Sequence, residues 1–248
     1  MKLAIVSDVH GNLPALKAVI ADLKLESPDQ VVNLGDCVSA RLWPEETAQL
    51  LRHTGWLTIR GNHDRLVAGE GPFEAGSADE YCAPLLSKES KDWLINLPVS
   101  HRLTDEIFLC HGTPTDDSVY LTEKNSGPKG HLPSETALLD LIKGETAPII
   151  CCGHTHIQRV VPIEKTGQTI VNPGSIGRPS YEVGHPLEGR NSGTPHARYS
   201  LMTKSAYGWV YTHKLIPYDW ETSAAEADKN GDPEWARALR LGFFGTLS

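Results

Sequence analysis

The sequence predicts an α/β fold in which helices flank β-sheets, and three observations support this class. Residues 2–7 form a short apolar run, residues 13–23 place apolar side chains at helical spacing, and residues 31–34 form a second apolar run. This order is a βαβ unit, which implies a right-handed crossover and a parallel sheet. A similar unit follows, with a helix over 44–53 and a strand over 56–59. A chain of 248 residues suits one such domain with appendages.

The rest of the chain predicts a second sheet and a helical tail. Residues 66–96 read as an insertion, with a Gly- and Pro-rich loop and then a helix over about 78–95, which we expect beside the site as a partial lid. Ser134 caps a further helix. The predicted strands cover 99–103, 107–110, 157–163, 168–172, 198–202 and 209–217. We therefore expect one domain over 1–217 and a helical tail over 218–248 packed on it.

Two histidines stand at the end of a buried strand. Residues 153–156 read Gly-His-Thr-His and follow the apolar run 147–152. In an extended segment residues i and i+2 point to the same side, so His154 and His156 are expected to converge. Neutral imidazole is the commonest side-chain metal ligand. The segment therefore predicts a metal site.

Four other segments repeat the pattern of a strand followed by polar, ligand-type residues. In parallel sheets such residues gather beyond the carboxyl ends of the strands. The segments are Asp8-Val9-His10, Gly35-Asp36, Gly61-Asn62-His63-Asp64 and His111-Gly112.

The ordered motifs Asp-x-His, Gly-Asp, Gly-Asn-His-Asp, His-Gly and Gly-His-x-His resemble the calcineurin-like metallophosphoesterase superfamily, over roughly residues 1–215. The later segment 172–175 is similar to the bacterial phosphodiesterase branch. The resemblance implies a four-layer α/β fold, with two packed mixed β-sheets flanked by helices. It also implies two metal sites that share Asp36. One site adds Asp8, His10 and His156, and the other adds Asn62, His111 and His154.

The chemistry of phosphate esters explains why two metals are expected. Two divalent ions can bind the phosphoryl oxygens and lower the pKa of an attacking water. A carboxylate can bridge two ions and a neutral imidazole cannot, so Asp36 is the natural bridge. The mixed nitrogen and oxygen donors favour a transition metal, Mn²⁺ first and then Fe, Ni²⁺, Co²⁺ or Zn²⁺, over Mg²⁺ or Ca²⁺.

His63 and Asp64 are the predicted catalytic residues. By resemblance His63 is no metal ligand and instead protonates the leaving oxygen or holds the phosphate, while Asp64 acts as a helix cap or supporting partner. Asn62, His63, Arg178 and Arg198 are the predicted substrate-binding residues. The loops 112–133 and 177–195 are expected to set substrate choice, because long polar loops in compact domains are often functional.

The function predicted is the metal-dependent hydrolysis of a phosphodiester or phosphomonoester in a small, nucleotide-like substrate. One alternative is a protein serine/threonine phosphatase. Those enzymes carry Asp and Arg where this chain has Ser39 and Ala40, which disfavours that reading. Another alternative is a non-catalytic interaction module on the same fold, which the complete ligand set disfavours.

Composition limits the partners. The formal net charge of −8 argues against a nucleic-acid partner. The longest apolar runs are too short to span a membrane or to serve as a signal peptide. The five cysteines include no CxxC pair, and four of them lie in or beside apolar strands, so we expect reduced thiols and no disulfide. A cytoplasmic protein is therefore expected.

Overall fold

The computed structural model describes residues 1–124, 131–182 and 189–243. Within these residues the strands, in chain order, are β1 (Lys2–Val6), β2 (Gln30–Asn33), β3 (Leu57–Thr58), β4 (Ser100–Arg102), β5 (Ile107–Cys110), β6 (Ile149–Cys151), β7 (Gln158–Ile163), β8 (Gln168–Pro173), β9 (Ser180–Glu182), β10 (Gly189–Asn191), β11 (Ala197–Ser205) and β12 (Gly208–Ile216). The α-helices are α1 (Leu13–Glu26), α2 (Pro44–Thr54), α3 (Asn62–Val67), α4 (Ala78–Cys82), α5 (Lys88–Ile95), α6 (Glu135–Leu141), α7 (Trp220–Lys229) and α8 (Pro233–Leu241).

Two mixed five-stranded sheets form the centre of the fold, as predicted. The first sheet has the order β12-β11-β1-β2-β3, and the second has the order β4-β5-β6-β8-β7. In the first sheet β1, β2 and β3 are parallel, and in the second β5, β6 and β8 are parallel. The remaining strands, β11 and β12 in the first sheet and β4 and β7 in the second, pair antiparallel with their neighbours. Each sheet therefore collects the carboxyl ends of three parallel strands at one edge.

The four layers follow from the alternation of side chains along the strands. In β1, Leu3 and Ile5 pack into the core between the two sheets, whereas Ala4 and Val6 pack into a core shared with α1 and α2. A third core lies between the second sheet and α6. Ile5 is fully buried, so its replacement by alanine would cost about 2–5 kcal/mol of folding free energy.

Three segments differ from their predicted form. The helix expected over 78–95 is broken into α4, a short 3-10 turn and α5, because Pro84 has no N–H to donate and Ser87 caps a new helix. The strand expected over 56–59 is reduced to β3. The loop expected over 177–195 contains the hairpin of β9 and β10. Residues 125–130 and 183–188, within the two loops expected to set substrate choice, lie outside the described residues.

The C-terminal helices pack on the body of the domain. Ser223 in α7 donates a hydrogen bond to Asn12 at the start of α1, at 2.8 Å. Ala224, Ala227, Trp235 and Leu239 form a core with residues 40–42. The tail is therefore joined to the segment that follows Asp36.

All five cysteines are free and buried, which confirms the prediction that the chain has no disulfide. Burial raises the pKa of each thiol, and that of Cys82 reaches about 12. No helix of the described residues combines the length and apolar character needed to cross a membrane.

Candidate metal centre

The residues predicted as metal ligands come together where the two sheets present their parallel strand ends. Asp8 and His10 follow β1, Asp36 follows β2, Asn62 opens α3, His111 follows β5, and His154 and His156 follow β6. Their ligand-type atoms fall into two groups, each within 4.8 Å: Asp8, His10, Asp36 and His156 in the first group, and Asp36, His111 and His154 in the second group. Asn62 Oδ1 lies 3.1 Å from His111 Nε2 and so adjoins the second group.

One oxygen of Asp36 is common to both groups. Asp36 Oδ2 lies 3.8 Å from His10 Nε2 and 3.2 Å from His111 Nε2. The other oxygen, Oδ1, accepts a hydrogen bond from the backbone N–H of His63 at 3.0 Å. The hydrogen bond to Oδ1 fixes the orientation of the carboxylate, and Oδ2 then lies between the two groups, where a bridging ligand would lie.

Main-chain carbonyls near each of the four histidines decide which ring nitrogen faces the site. Nδ1 of His10 lies 2.8 Å from Ser39 O, Nδ1 of His111 lies 2.7 Å from Leu34 O, and Nδ1 of His156 lies 3.0 Å from Arg178 O. A carbonyl accepts only from an N–H, so in a neutral ring Nε2 then carries the lone pair. His154 shows the reverse, with Nε2 3.1 Å from Ser118 O. Orientation of this kind is typical of metal-ligating histidines.

The first group fits a cation. Asp8 Oδ1 is buried and has no hydrogen-bond partner among the described residues. It lies 3.2 Å from His156 Nε2, which in turn lies 3.2 Å from His10 Nε2. Lone pairs that face one another at this distance repel unless a positive charge lies between them. The donor set therefore suits a metal ion.

The electrostatics of the histidines point the same way. Burial holds the pKa of His10 well below its usual value and lowers the pKa of His154 to about 3, so both rings are neutral at pH 7 and able to bind a metal. Burial would also lower the pKa of His111, but the carboxylate of Asp36 outweighs it and raises the pKa to about 10. Asp36 thus attracts positive charge into the second group, and a metal ion bound there would displace the proton.

Backbone strain is concentrated at the same residues. Among the described residues, six non-glycine residues have a left-handed φ, and five of them are Asp8, His10, Asp36, His154 and His156. The expectation that the two histidines lie on an extended segment is therefore wrong. The backbone turns within 153–156, with Thr155 N donating to Gly153 O at 2.7 Å, and sends His156 to the first group and His154 to the second.

Asp64 supports the loop of Asp36 from beneath. Its buried carboxylate accepts hydrogen bonds from the backbone N–H groups of Asp36, Cys37 and Gly61, at 2.8, 2.8 and 3.0 Å. Burial and the charge of Asp36 raise the pKa of Asp64 to about 6, so it is mainly ionised at neutral pH. A Cβ at Gly61 would lie 2.2 Å from Asp36 Oδ1, so only glycine allows this close approach.

Asp79, which the sequence did not single out as a site residue, contacts His63. Both carboxylate oxygens of Asp79, in α4, lie 2.9 Å from His63 Nδ1, and Asp79 is only 6% exposed. Burial would lower the pKa of His63, but Asp36 and Asp79 outweigh it and raise the pKa above its usual value. His63 therefore holds a proton more readily than an ordinary histidine. The helical insertion contributes to the site through this contact.

The two predicted substrate-binding arginines have different surroundings. The guanidinium carbon of Arg178 lies 4.1 Å from the ring centroid of Trp235, and the carbonyl of Arg178 accepts from His156. Arg198 is 4% exposed, and its guanidinium donates to the carbonyls of Ser192, Thr194 and His196. Arg178 thus adjoins the first group, whereas Arg198 braces the loop before β11.

The segment 172–175 supports the site. Asn172 donates to Gly153 O at 2.7 Å and to Thr155 Oγ1 at 3.0 Å, which holds the turn that carries the two histidines. Ser175 Oγ donates to Asp8 O at 2.7 Å. The segment therefore braces both β1 and β6 at their carboxyl ends.

A two-sheet α/β fold with a shared-carboxylate histidine cluster at the strand ends is an architecture of metal-binding phosphoesterases. A model described as the calcineurin-like phosphoesterase superfamily domain matches residues 1–186, and the chain belongs to that superfamily. The family normally binds divalent metals, and membership of it indicates a phosphoester hydrolase.

Similar proteins extend along the whole chain. An uncharacterized protein of Methanocaldococcus jannaschii is 23% identical over 94% of each chain. The crystal structure of a metallophosphoesterase from Sphaerobacter thermophilus covers 98% of this chain and 99% of its own, with a TM-score of 0.76 at 22% identity. The structure of a hypothetical protein from Pyrococcus horikoshii OT3 covers the same shares, with a TM-score of 0.74 at 18% identity. These likenesses show that the fold, including the C-terminal tail, is shared.

Proposed function

We propose that this protein is a dinuclear metal-dependent phosphoesterase that hydrolyses phosphodiester or phosphomonoester bonds of a small, nucleotide-like substrate. The observation that carries the proposal is the pair of ligand groups that share Asp36 Oδ2. A single carboxylate oxygen within 4 Å of ligands on both sides is the arrangement that two neighbouring ions require.

In this proposal Asp8, His10, Asp36 and His156 hold one ion, and Asp36, Asn62, His111 and His154 hold the other. When bound, two divalent ions neutralise phosphoryl oxygens and make an attacking water more acidic. Four imidazoles with carboxylate and amide oxygens favour a transition metal, Mn²⁺ first and Fe, Ni²⁺, Co²⁺ or Zn²⁺ as alternatives.

His63 is the proposed general acid. Because the pKa of His63 is raised, the ring can hold a proton at neutral pH and donate it. Nδ1 contacts Asp79, so Nε2 is the nitrogen that can face the leaving oxygen. The backbone N–H of the same residue fixes Asp36. Asp64 fixes the loop of Asp36 through three backbone N–H groups, so we assign it a supporting role rather than a chemical one.

Asn62, His63 and Arg178 are the residues that we retain for substrate binding. The surroundings of Arg198 favour a structural role, since its guanidinium donates to three carbonyls of its own loop. We also propose that residues 1–217 form one domain and that the tail 218–248 packs on it, which the contact between Ser223 and Asn12 supports. We further propose that the protein is cytoplasmic.

Metal analysis combined with hydrolysis assays tests the proposal. Protein loaded with Mn²⁺ should carry about two ions per chain and cleave nitrophenyl or nucleotide phosphate esters, and a chelator should abolish the activity. Asp36→Asn should lose both properties, while Asp105→Asn, a substitution in the exposed β4–β5 turn, should keep them. Metal binding without hydrolysis of any ester would instead support the non-catalytic interaction module. Activity confined to phosphoprotein substrates would support the protein phosphatase.

A further inference from the structure

Trp235 brings the C-terminal tail to the metal centre. It lies in α8, is 6% exposed, and packs with Ala40, Leu42 and Leu239. Its ring meets the ring of His10, a proposed ligand of the first group, at a centroid distance of 6.1 Å and an interplanar angle of 67°. One face of the tail therefore forms part of the wall around the first group.

The guanidinium of Arg178 lies over the same indole ring. The guanidinium carbon lies 4.1 Å from the ring centroid, well inside the range of a cation–π interaction. Such contacts are strong enough to favour one side-chain orientation over others. An arginine has rotatable bonds along its whole stem, so the contact with Trp235 contributes to where the positive charge lies.

The backbone of Arg178 is fixed independently of the indole. Its N–H donates to Ser175 Oγ at 2.7 Å, and its carbonyl accepts from His156 Nδ1 at 3.0 Å. A Cβ at the preceding Gly177 would lie 1.8 Å from Val9 O, so the segment is pressed against the end of β1. The main chain therefore places Arg178 beside the first group, and the cation–π contact with Trp235 contributes to the orientation of its side chain.

The charge of Arg178 lies close to the first ligand group. The Trp235 ring that contacts the guanidinium carbon at 4.1 Å also contacts the ring of His10 at a centroid distance of 6.1 Å.

We propose that Trp235 is a positioning residue that holds Arg178 for one phosphoryl oxygen, and that this pair selects a terminal phosphoryl group over an internal diester. The inference rests on the proposed function. A phosphomonoester has three non-ester oxygens and a diester has two. With two oxygens directed to the ligand cluster, only the monoester keeps an anionic oxygen for the guanidinium. The preferred substrate class is therefore a phosphate monoester or the terminal phosphate of a nucleotide.

The test compares two esters with the same leaving group, para-nitrophenyl phosphate and bis-para-nitrophenyl phosphate, on the full-length Mn²⁺-loaded protein. Arg178→Gln should lower kcat/KM for the monoester by about 10–100-fold, mainly through KM, because a charged hydrogen bond is lost. The diester should change by less than about 3-fold, since it lacks the third oxygen. Equal losses on both esters would overturn the selectivity.

A double-mutant cycle separates positioning from mere packing. Trp235→Leu should weaken the monoester reaction in the same direction as Arg178→Gln but less, and the double variant should be no worse than Arg178→Gln alone. Additive losses, or a Trp235→Leu protein that has lost its metal, would overturn the positioning role. Trp209→Leu on β12 is the matched control and should leave kinetics and metal content unchanged.

Binding of inorganic phosphate, measured by titration calorimetry, gives a readout that needs no turnover. Arg178→Gln and Trp235→Leu should both weaken phosphate binding while mass spectrometry finds the wild-type metal content. Unchanged phosphate affinity in both variants would overturn the inference and leave the proposed function standing. A wild-type protein that neither binds phosphate nor cleaves either ester would overturn the proposed function itself, and this inference with it.

Discussion

The two ligand groups differ in what holds them. Asp8, His10, Asp36 and His156 of the first group are all buried, and each lies within a few residues of the end of a core strand. The second group shares Asp36 and the buried His111, but His154 is partly exposed. Its ring is oriented by Ser118 O and stacks on Tyr120 at 4.4 Å, both in the loop that follows β5.

The first ligand group is therefore held in a fixed position, whereas the position of the second can adjust. The rings of His10 and His156 are oriented by Ser39 O and Arg178 O. Both carbonyls adjoin segments that are joined by backbone hydrogen bonds to residues 7–11, immediately after β1, so the first group is fixed close to the end of the first sheet. The second group depends partly on a surface loop, and such loops open at low free-energy cost. We therefore expect the first group to bind its ion more tightly and to release it more slowly.

The largest effect should come from Asp36→Asn, because one carboxylate belongs to both groups. An amide keeps the shape but loses the charge that offsets two cations, so both ions should be lost. Hydrolysis should fall by at least about 10³-fold, equivalent to several kcal/mol of transition-state stabilisation. Metal content by mass spectrometry and kcat with a nitrophenyl ester check this.

Asp29→Asn on the surface beside β1 is the control for the Asp36 variant and should retain both ions. A variant Asp36→Asn that kept a full metal content would show that the two groups do not share this ligand, and the comparison between them would have to be redrawn.

Replacing one histidine from each group should separate them. His156→Ala should empty the first group and His154→Ala the second, each leaving about one ion per chain. In the wild-type protein, stepwise addition of a chelator should remove the second-group ion first. His53→Ala, on the exposed face of α2, should keep both ions. Loss of both metals from each single variant would contradict the partition.

A third prediction separates proton donation from metal binding. Asp79→Asn should leave both ions in place but weaken the hydrogen bond to His63 Nδ1. The pKa of His63 should then fall, because the Asp79 carboxylate helps to raise it. Hydrolysis of nucleotide or alkyl esters should fall by about 10–100-fold, and that of nitrophenyl esters much less, since nitrophenolate leaves without a proton. His63→Asn should show the same contrast more strongly.

The neighbouring Glu80→Gln is the matched control, because Glu80 is exposed and its carboxylate accepts a hydrogen bond from the backbone N–H of Gly76 in the same insertion. Equal losses on both classes of ester in Asp79→Asn and His63→Asn would mean that His63 orients the phosphate, and its role as general acid would have to be dropped.

The sequence predicted much of this molecule because two kinds of signal are local. Periodicity along residues 2–34 predicts a βαβ unit, and parallel strands must bring their carboxyl ends to one edge. Each predicted metal ligand lies within a few residues of the end of such a strand, so the strand ends bring the ligands to one region. The grouping of His154 with His111, and of His156 with His10, came only from the resemblance.

The parts that the sequence did not predict depend on contacts between distant segments. Asp79 lies 16 residues from His63, in an insertion with several other acidic residues, and no spacing distinguishes it from them. Trp235 reaches the site only because α8 folds back on residues 40–42. The left-handed backbone at five site residues is imposed by the surrounding hydrogen bonds, since local preference opposes it.

The smallest effect expected concerns the ion pair that ties the second group to its loop. Arg65 in α3 binds Asp117 with two hydrogen bonds, at 2.8 and 3.1 Å, and also donates to Ser118 Oγ at 3.2 Å. Because Ser118 O orients His154, Arg65→Gln should loosen that ring and weaken the second-group ion by about 3–10-fold. The first-group ion should be unaffected, as should both ions in Arg52→Gln, which breaks an ion pair between α2 and α5.

Competition with a fluorescent chelator resolves the two affinities in the Arg65 variant. A selective loss in the weaker-binding class would place the adjustable part of the centre in the loop after β5. If Arg65→Gln weakened both classes equally, the ion pair would be stabilising the whole centre and not the His154 ring alone. In that case the contrast between a fixed and an adjustable group would rest on burial alone.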